Sequence, residues 1–289
     1  MNRITFLSIA SLSLVSGLST VLYGPQERVM LLLTAKLAAK QGLEAAAICE
    51  SGAQQLCRRF MYGAEYAEKN VDDKGKARLI SDPDDIEDSL INANSILFIA
   101  YDNPIDEKSV NTLLDTAGEK LSKVVMLSKM GVTKAKGGFF GGGDSDLLMS
   151  EKYLRKVCNS KNIDLSIIRA GNLKGGGPGE DGNDFGLNEV YYNTLVDVVE
   201  ASVTMAHDKF TLGADCTLGD TIEMPNLFQV MGTKSSFDVY PYDTNRIVAA
   251  GGTVAATLKE GSIEFSVSTA KGNQPPTPED WEDILASLN

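Results

Sequence analysis

Histidine occurs once in this chain, at His207, and the four cysteines, Cys49, Cys57, Cys158 and Cys216, show no C-x-x-C spacing. A zinc site needs such ligands at close spacing, so no metal is expected and the thiols read as buried small side chains. Basic residues are in the minority, 27 Lys and Arg against 39 Asp and Glu, for a net charge of -12 with no basic run. That balance excludes a nucleic-acid partner, whose phosphates require concentrated Lys and Arg. Long apolar runs are also missing: the one near the start offers about 15 largely apolar positions, where a bilayer span takes roughly 20. The glycine-dense stretch 134–146 lacks the G-K-[ST] ending of a phosphate loop, and its Asp144 and Asp146 fail the calcium-loop spacing, so it reads as a loop near the carboxyl ends of the strands. No internal repeat is visible.

What is present suits a packed α/β protein. At 289 residues, with 43% hydrophobic and 23% charged residues, the chain can build one large domain or two small ones. Its organising stretch is residues 20–50: a β-rich run at 20–23, a turn at Gly24 and Pro25, an apolar helical run over 27–40, a stop at Gly42, and a second buried run ending at Cys49 and Glu50. The spacing is that of the first βαβ unit of a dinucleotide-binding fold, where a glycine turn meets the pyrophosphate and an acid after the second strand meets the ribose. Candidate cofactor contacts are therefore Gly24, Pro25, Gln26, Glu27, Arg28, Glu50 and Ser51. Glu27 brings a carboxylate to the helix start, where it opposes a phosphate that Arg28 would attract; on the alternative reading it only complements the helix dipole. Glu50 favours the 2′-hydroxyl of NAD over the 2′-phosphate of NADP.

Further along, helical and buried extended segments alternate. A polar helix is expected over 53–69, with Arg58 and Arg59 either near a 2′-phosphate or simply solvated, then a strand over 77–80, a helix opened by Asp82, a strand over 95–100, a helix over 106–121 and a strand over 124–127. Such alternation predicts a doubly wound, parallel α/β sheet. A second glycine-rich loop, 175–186, precedes an expected helix over 188–205, and residues 211–240 read as short strands or extended connections. Thr277, Pro278 and Asp280 spell the start of a closing helix with Trp281 facing inward. One domain, 19–289, with a small C-terminal lobe from about 174, is preferred. Residues 1–18 read either as a targeting segment or as an N-terminal extension packed on the domain.

From Leu147 the chain runs LLMSEKYLRKVCNSKNIDLSIIRAGNLKGGG, and downstream Asp243 to Ala250 form DTNRIVAA. Glu151, Leu154 and Arg155, then Ile167, Ile168, Arg169 and Gly171, resemble the K-x-x-x-E-x-x-L-R … Y-T-I-I-R-P-G-x-L pattern of atypical short-chain dehydrogenases, the NmrA-like group and related plastid NAD(P)-binding proteins. The resemblance covers about residues 19–288. It implies a Rossmann-like fold holding NAD or NADP, with Ala100, Ser128, Arg169, Ala170, Gly171 and Asn172 on the cofactor side.

Two family features are absent. Counting G-x-x-G-x-x-G from Gly24, the second and third glycines fall on Glu27 and Met30. The family's catalytic tyrosine and lysine, four residues apart so that the ammonium lowers the phenol pKa, fall on Gly143 and Leu147, and none of the nine tyrosines has a lysine four residues later. Tyr153 and Lys156 are three apart and read as packing; Lys129 reads as a solvated lysine or a donor near a substrate. No catalytic residue is therefore assigned. The expectation is a structural or regulatory subunit docked on a larger assembly, with plastid location and membrane contact only indirect or through residues 1–18; secreted and cytoplasmic locations are the alternatives. An active NAD(P)H-dependent reductase is the competing function, and a sugar- or lipid-modifying epimerase a weaker third.

Overall fold

In the computed structural model the described residues are 17–24, 28–64, 75–101, 103–134, 144–179, 184–195, 198–220 and 243–288. Strands β1 (Ser19–Tyr23), β2 (Glu44–Ile48), β3 (Arg78–Ile80), β4 (Ser95–Ile99), β5 (Lys123–Lys129), β6 (Asp164–Ala170), β8 (Gly213–Leu218) and β10 (Glu264–Ala270) make one sheet in the order β3-β2-β1-β4-β5-β6-β10-β8. All neighbours are parallel except β8, which runs antiparallel to β10. Strands β7 (Asn172–Lys174) and β9 (Asp243–Asn245) pair separately. Central strands are buried on both sides, as the unbroken burial of SILFI in β4 illustrates.

Helix α1 (Arg28–Lys40) is rich in Leu and Ala, strong helix formers, and buries nine of its residues between the sheet and a later helix. It stops where the sequence placed the stop. Gly42 takes φ 89, the Leu43 N–H reaches the Ala38 carbonyl at 3.1 Å and the Gly42 N–H the Ala39 carbonyl at 3.0 Å, so a Schellman closure satisfies the last carbonyls. Helices α2 (Gln54–Tyr62), α3 (Pro83–Ile91), α4 (Glu107–Thr116) and α5 (Asp144–Lys161) follow. Asp82 caps α3 by accepting from the Asp84 N–H, with Pro83 at the first position. One apolar cluster, including residues of α4 and α5, covers one face of the sheet, and another, including α1, covers the opposite face.

The expected continuous helix over 188–205 is divided. A 3-10 turn spans Glu189–Thr194, capped by Asn188, and helix α6 (Val198–Phe210) starts afresh. The Asn188 side chain accepts from the Val190 N–H and Leu195 is extended at φ -77, ψ 115, which local apolar spacing does not reveal. Helix α7 (Arg246–Leu258) and helix α8 (Pro278–Ser287) complete the chain, the latter with the reciprocal capping box of Thr277 and Asp280. Gly251 lets Trp281 lie against α7: a Cβ there would sit 2.9 Å from the indole Nε1. Of the stretch read as a C-terminal lobe, β8 and β10 extend the main sheet, and α8 packs on α7. Residues 1–16, most of the 134–146 loop and residues 221–242 lie outside the described residues.

Candidate functional site

The sheet order reverses between β1 and β4, and ligands of open α/β sheets bind outside the carboxyl ends of the strands at such a point. Here β1 ends at Tyr23, and Gly24 follows it. A Cβ on Gly24 would lie 2.9 Å from the Ile99 Cβ and 3.1 Å from its carbonyl oxygen, so the close approach of β1 to β4 by itself demands glycine. Beside it opens a cleft of about 590 Å³, with Leu31, Leu32 and Ile48 among its apolar walls, Cys49 and Cys57 within it, and Arg28 and Glu50 as its charged lining. Arg28 Nη2 lies 3.0 Å from Glu50 Oε2, with the two side chains 45% and 73% exposed. An exposed pair of this kind contributes about 0–1 kcal/mol and separates readily. Burial raises the pKa of both Cys49 and Cys57, so the thiols stay protonated and are poor nucleophiles.

The other half of the strand edge is differently made. Tyr101, just after β4, is buried, and its hydroxyl donates to the Gly171 carbonyl at 2.6 Å; the phenol thus crosses from the end of β4 to the end of β6, past β5 between them. Lys129 Nζ stands 5.5 Å from the centre of that ring. The Gly171 N–H donates to Thr244 Oγ1 at 2.8 Å, and that hydroxyl donates onward to the Val267 carbonyl at 2.7 Å. Both backbone groups of Gly171 are therefore engaged by the protein itself.

The expected cofactor residues fall into separate places. Gly24, Arg28 and Glu50 line the cleft, with Ser51 exposed in the turn that follows. Pro25, Gln26 and Glu27 lie outside the described residues, as does Gly143. Ala100, Ser128, Ala170 and Gly171 are buried along the β4–β6 end, and the Ser128 hydroxyl, fully enclosed, has no hydrogen-bond partner among the described residues. Asn172 is exposed and pairs through its backbone with Asp243. Arg169 turns to α5 instead. It is 1% exposed and grips Glu151 with two bonds, Nε to Oε1 at 3.1 Å and Nη2 to Oε2 at 2.7 Å, with Glu264 at 3.3 Å. Arg155 closes the network by a two-pronged pair with Glu264. The E-x-x-L-R motif and the arginine of β6 are thus joined in one ion cluster that ties α5 to β6 and β10. Leu147, where the family lysine falls, is buried in the apolar cluster, and Tyr153 donates to Asn111 Oδ1 at 2.9 Å, holding α5 to α4.

Sequence reading missed Tyr101, Thr244 and a second buried centre. Asp208, 1% exposed, accepts from the Gly176 and Gly177 N–H groups at 2.7 and 2.8 Å, from Tyr192 Oη at 2.9 Å and from Asn245 Nδ2 at 3.1 Å. Burial pushes its pKa up while these four donors oppose the rise. Burial, followed by the Asp208 charge, raises the Tyr192 pKa as well, so this phenol remains a donor. The second glycine-rich loop is accordingly wrapped around a carboxylate of the protein. Only the glycine density hinted at it. Among the described residues no group of three or more His, Cys, Asp or Glu is placed to hold a metal ion, and no helix is long and apolar enough to cross a membrane.

No family model and no curated protein matches the sequence. Solved structures do match in fold. A chain designated SsCR aligns at TM-score 0.52 with 10% identity, over 93% of this chain and 83% of that one. Yeast methylglyoxal/isovaleraldehyde reductase Gre2, complexed with NADPH, aligns at TM-score 0.50 with 8% identity, over 85% of this chain and 74% of that one. The likeness is one of architecture: the mostly parallel eight-stranded sheet with helices on both faces is a Rossmann-like α/β fold.

Proposed function

We propose that this chain is a Rossmann-fold protein without short-chain dehydrogenase catalysis, serving as a structural or regulatory subunit of a larger assembly. The observation that carries the reading is the Tyr101 phenol bonded to the Gly171 carbonyl, which fills the β4–β6 end where a hydride donor would have to approach a substrate. The sequence adds that no tyrosine has a lysine four residues on, the spacing by which the family's lysine activates its phenol as a proton donor. A fold alone does not supply an activity, and here its chemical groups have been put to structural use. The docked-subunit role and a plastid location draw on the likeness to plastid proteins and on residues 1–18.

The competing reading is an NAD(P)H-dependent reductase that relies on hydride geometry. It is favoured by the enclosed hydroxyl of Ser128 at the end of β5, which has no partner among the described residues, and by the NADPH that Gre2 carries. One experiment separates the two. The full chain is incubated with NADPH or NADH and a panel of aldehydes and ketones, and cofactor absorbance is followed. The non-catalytic reading expects no carbonyl-dependent oxidation above the rate of buffer; turnover with any member of the panel refutes it. Native gel filtration of an extract from the source cells tests the assembly: elution at the size of the lone chain would remove that part of the reading.

A further inference from the structure

We propose that residues 184–195 form a strap that holds helix α2, and with it one wall of the cleft at the ends of β1 and β2, and that the Lys36 ammonium is its latch. The inference goes beyond the non-catalytic reading and is independent of whether the chain reduces a carbonyl. Lys36 lies near the middle of α1 on the buried side of that helix, with its side chain 4% exposed. A cation placed there needs partners, because an unpaired buried charge is strongly unfavourable. Both of its hydrogen bonds go to the strap: Nζ donates to Asp184 Oδ1 and, at 2.6 Å, to the Gly186 carbonyl. The Tyr62 ring of α2 stands 5.8 Å away and is shared with Lys76 at 5.2 Å. One turn further along α1, Lys40 Nζ donates to the Asp184 carbonyl at 2.8 Å. Burial lowers the Lys36 pKa, and the bond to Asp184 opposes that fall, so the charge on α1 leans on a carboxylate that the strap supplies.

The underside of the strap is joined to α2. Leu187 and Tyr191, both buried, belong to the apolar cluster that also holds Cys57 and Met61, and the 3-10 turn packs on α2. The Asn188 N–H donates to the Phe60 carbonyl at 2.7 Å. Cys57 in turn lines the cleft together with Leu31 and Leu32 of α1, so α2 is held between strap and cleft. The strap enters through a glycine neck: the Leu187 N–H donates to the Gly176 carbonyl at 2.9 Å, and a Cβ on Gly186 would collide with the Gly177 carbonyl. Without the Asp184 carboxylate the ammonium beneath the strap loses its anion, and lifting the strap is what lets water take its place. Helix α2 then loses its cover, while the opposite face of the sheet stays packed, as in the local opening of one structural unit.

Hydrogen exchange of the full chain at neutral pH, read by mass spectrometry, together with iodoacetamide labelling of Cys57, tests the latch. Asp184→Asn, at a side chain 67% exposed, should speed exchange across 185–195 and α2, and the labelling of Cys57, by about tenfold or more, while α3 and α4 keep their rates. Lys36→Met combined with Asp184→Asn removes the buried charge along with its partner and should return both readouts to within about twofold of the unaltered chain. The proposal is overturned if Asp184→Asn leaves exchange and labelling within about twofold of the unaltered chain, or if the double variant opens as readily as Asp184→Asn alone. It is equally overturned if α3 and α4 exchange as fast as 185–195, since the whole domain, and not a strap, would then have come loose.

Discussion

Replacing Glu151 by glutamine should unfold this protein more easily than almost any other single change outside the apolar core. Glu151 and Arg169 are each 1% exposed, and the carboxylate meets the guanidinium with two bonds, at 3.1 and 2.7 Å. In Glu151→Gln the Arg169 charge stays buried, its remaining hydrogen-bonded acid, Glu264 at 3.3 Å, is already shared with both prongs of Arg155, and the Asp220 carboxylate acts on it by charge alone. Breaking one partner of a buried pair costs about 3–5 kcal/mol. For a domain of this size each kcal/mol moves the melting temperature by about 2–4 °C, so a fall of roughly 6–20 °C is expected. The single tryptophan, Trp281, is 2% exposed against α7 and reports unfolding by its fluorescence in heat or urea. Glu151→Leu combined with Arg169→Met, which removes both charges, should recover most of the loss. A Glu151→Gln cost under about 1 kcal/mol, or a double variant no better than the single, would refute the account.

Two further predictions follow from other buried groups. Asp208→Asn leaves two of the four donors now aimed at the carboxylate facing an NH₂, and urea denaturation should register a loss of about 2–6 kcal/mol. Lys123, 6% exposed and donating to the carbonyls of Lys259 and Gly261, has its pKa lowered by burial to about 8. Between that value and the free-lysine range near 10.4 the unfolded chain holds a proton the native state has released, so stability should rise with pH across this window. Lys123→Met should abolish that rise, and equal slopes in the two proteins from pH-dependent urea midpoints would count against it.

Much of the architecture was legible because it rests on near-neighbour chemistry. The β1-α1-β2 unit is written in a short β-rich run, a Leu- and Ala-rich helix and Gly42, whose left-handed backbone closes α1. The Thr277 and Asp280 box reads directly as a helix start and forms as one. Less was legible where partners are far apart. β8 shows little strand character, yet it completes the sheet because β10, some fifty residues later, supplies its hydrogen bonds. The break between the 3-10 turn at 189–194 and α6 likewise follows from the conformation at Leu195. At the candidate site, Arg28 and Glu50 were found from spacing and do meet in one cleft. Arg169 was assigned to the cofactor side because it stands at the end of a β-strand in a familiar motif; a linear pattern does not say which face of the strand it takes.

By itself, then, the sequence determined the alternation of strand and helix, the parallel sheet that such alternation requires, and the loss of the tyrosine and lysine pair, since each depends on residues within a turn or two of one another. The tertiary structure alone decided which end of the sheet stays open. Tyr101 meets Gly171 across 70 positions, Thr244 meets it across 73, and Asp208 gathers the loop at 176–177 from more than 30 away. Contacts of that range are set by how buried polar groups find partners once the sheet has closed, and no local spacing encodes them.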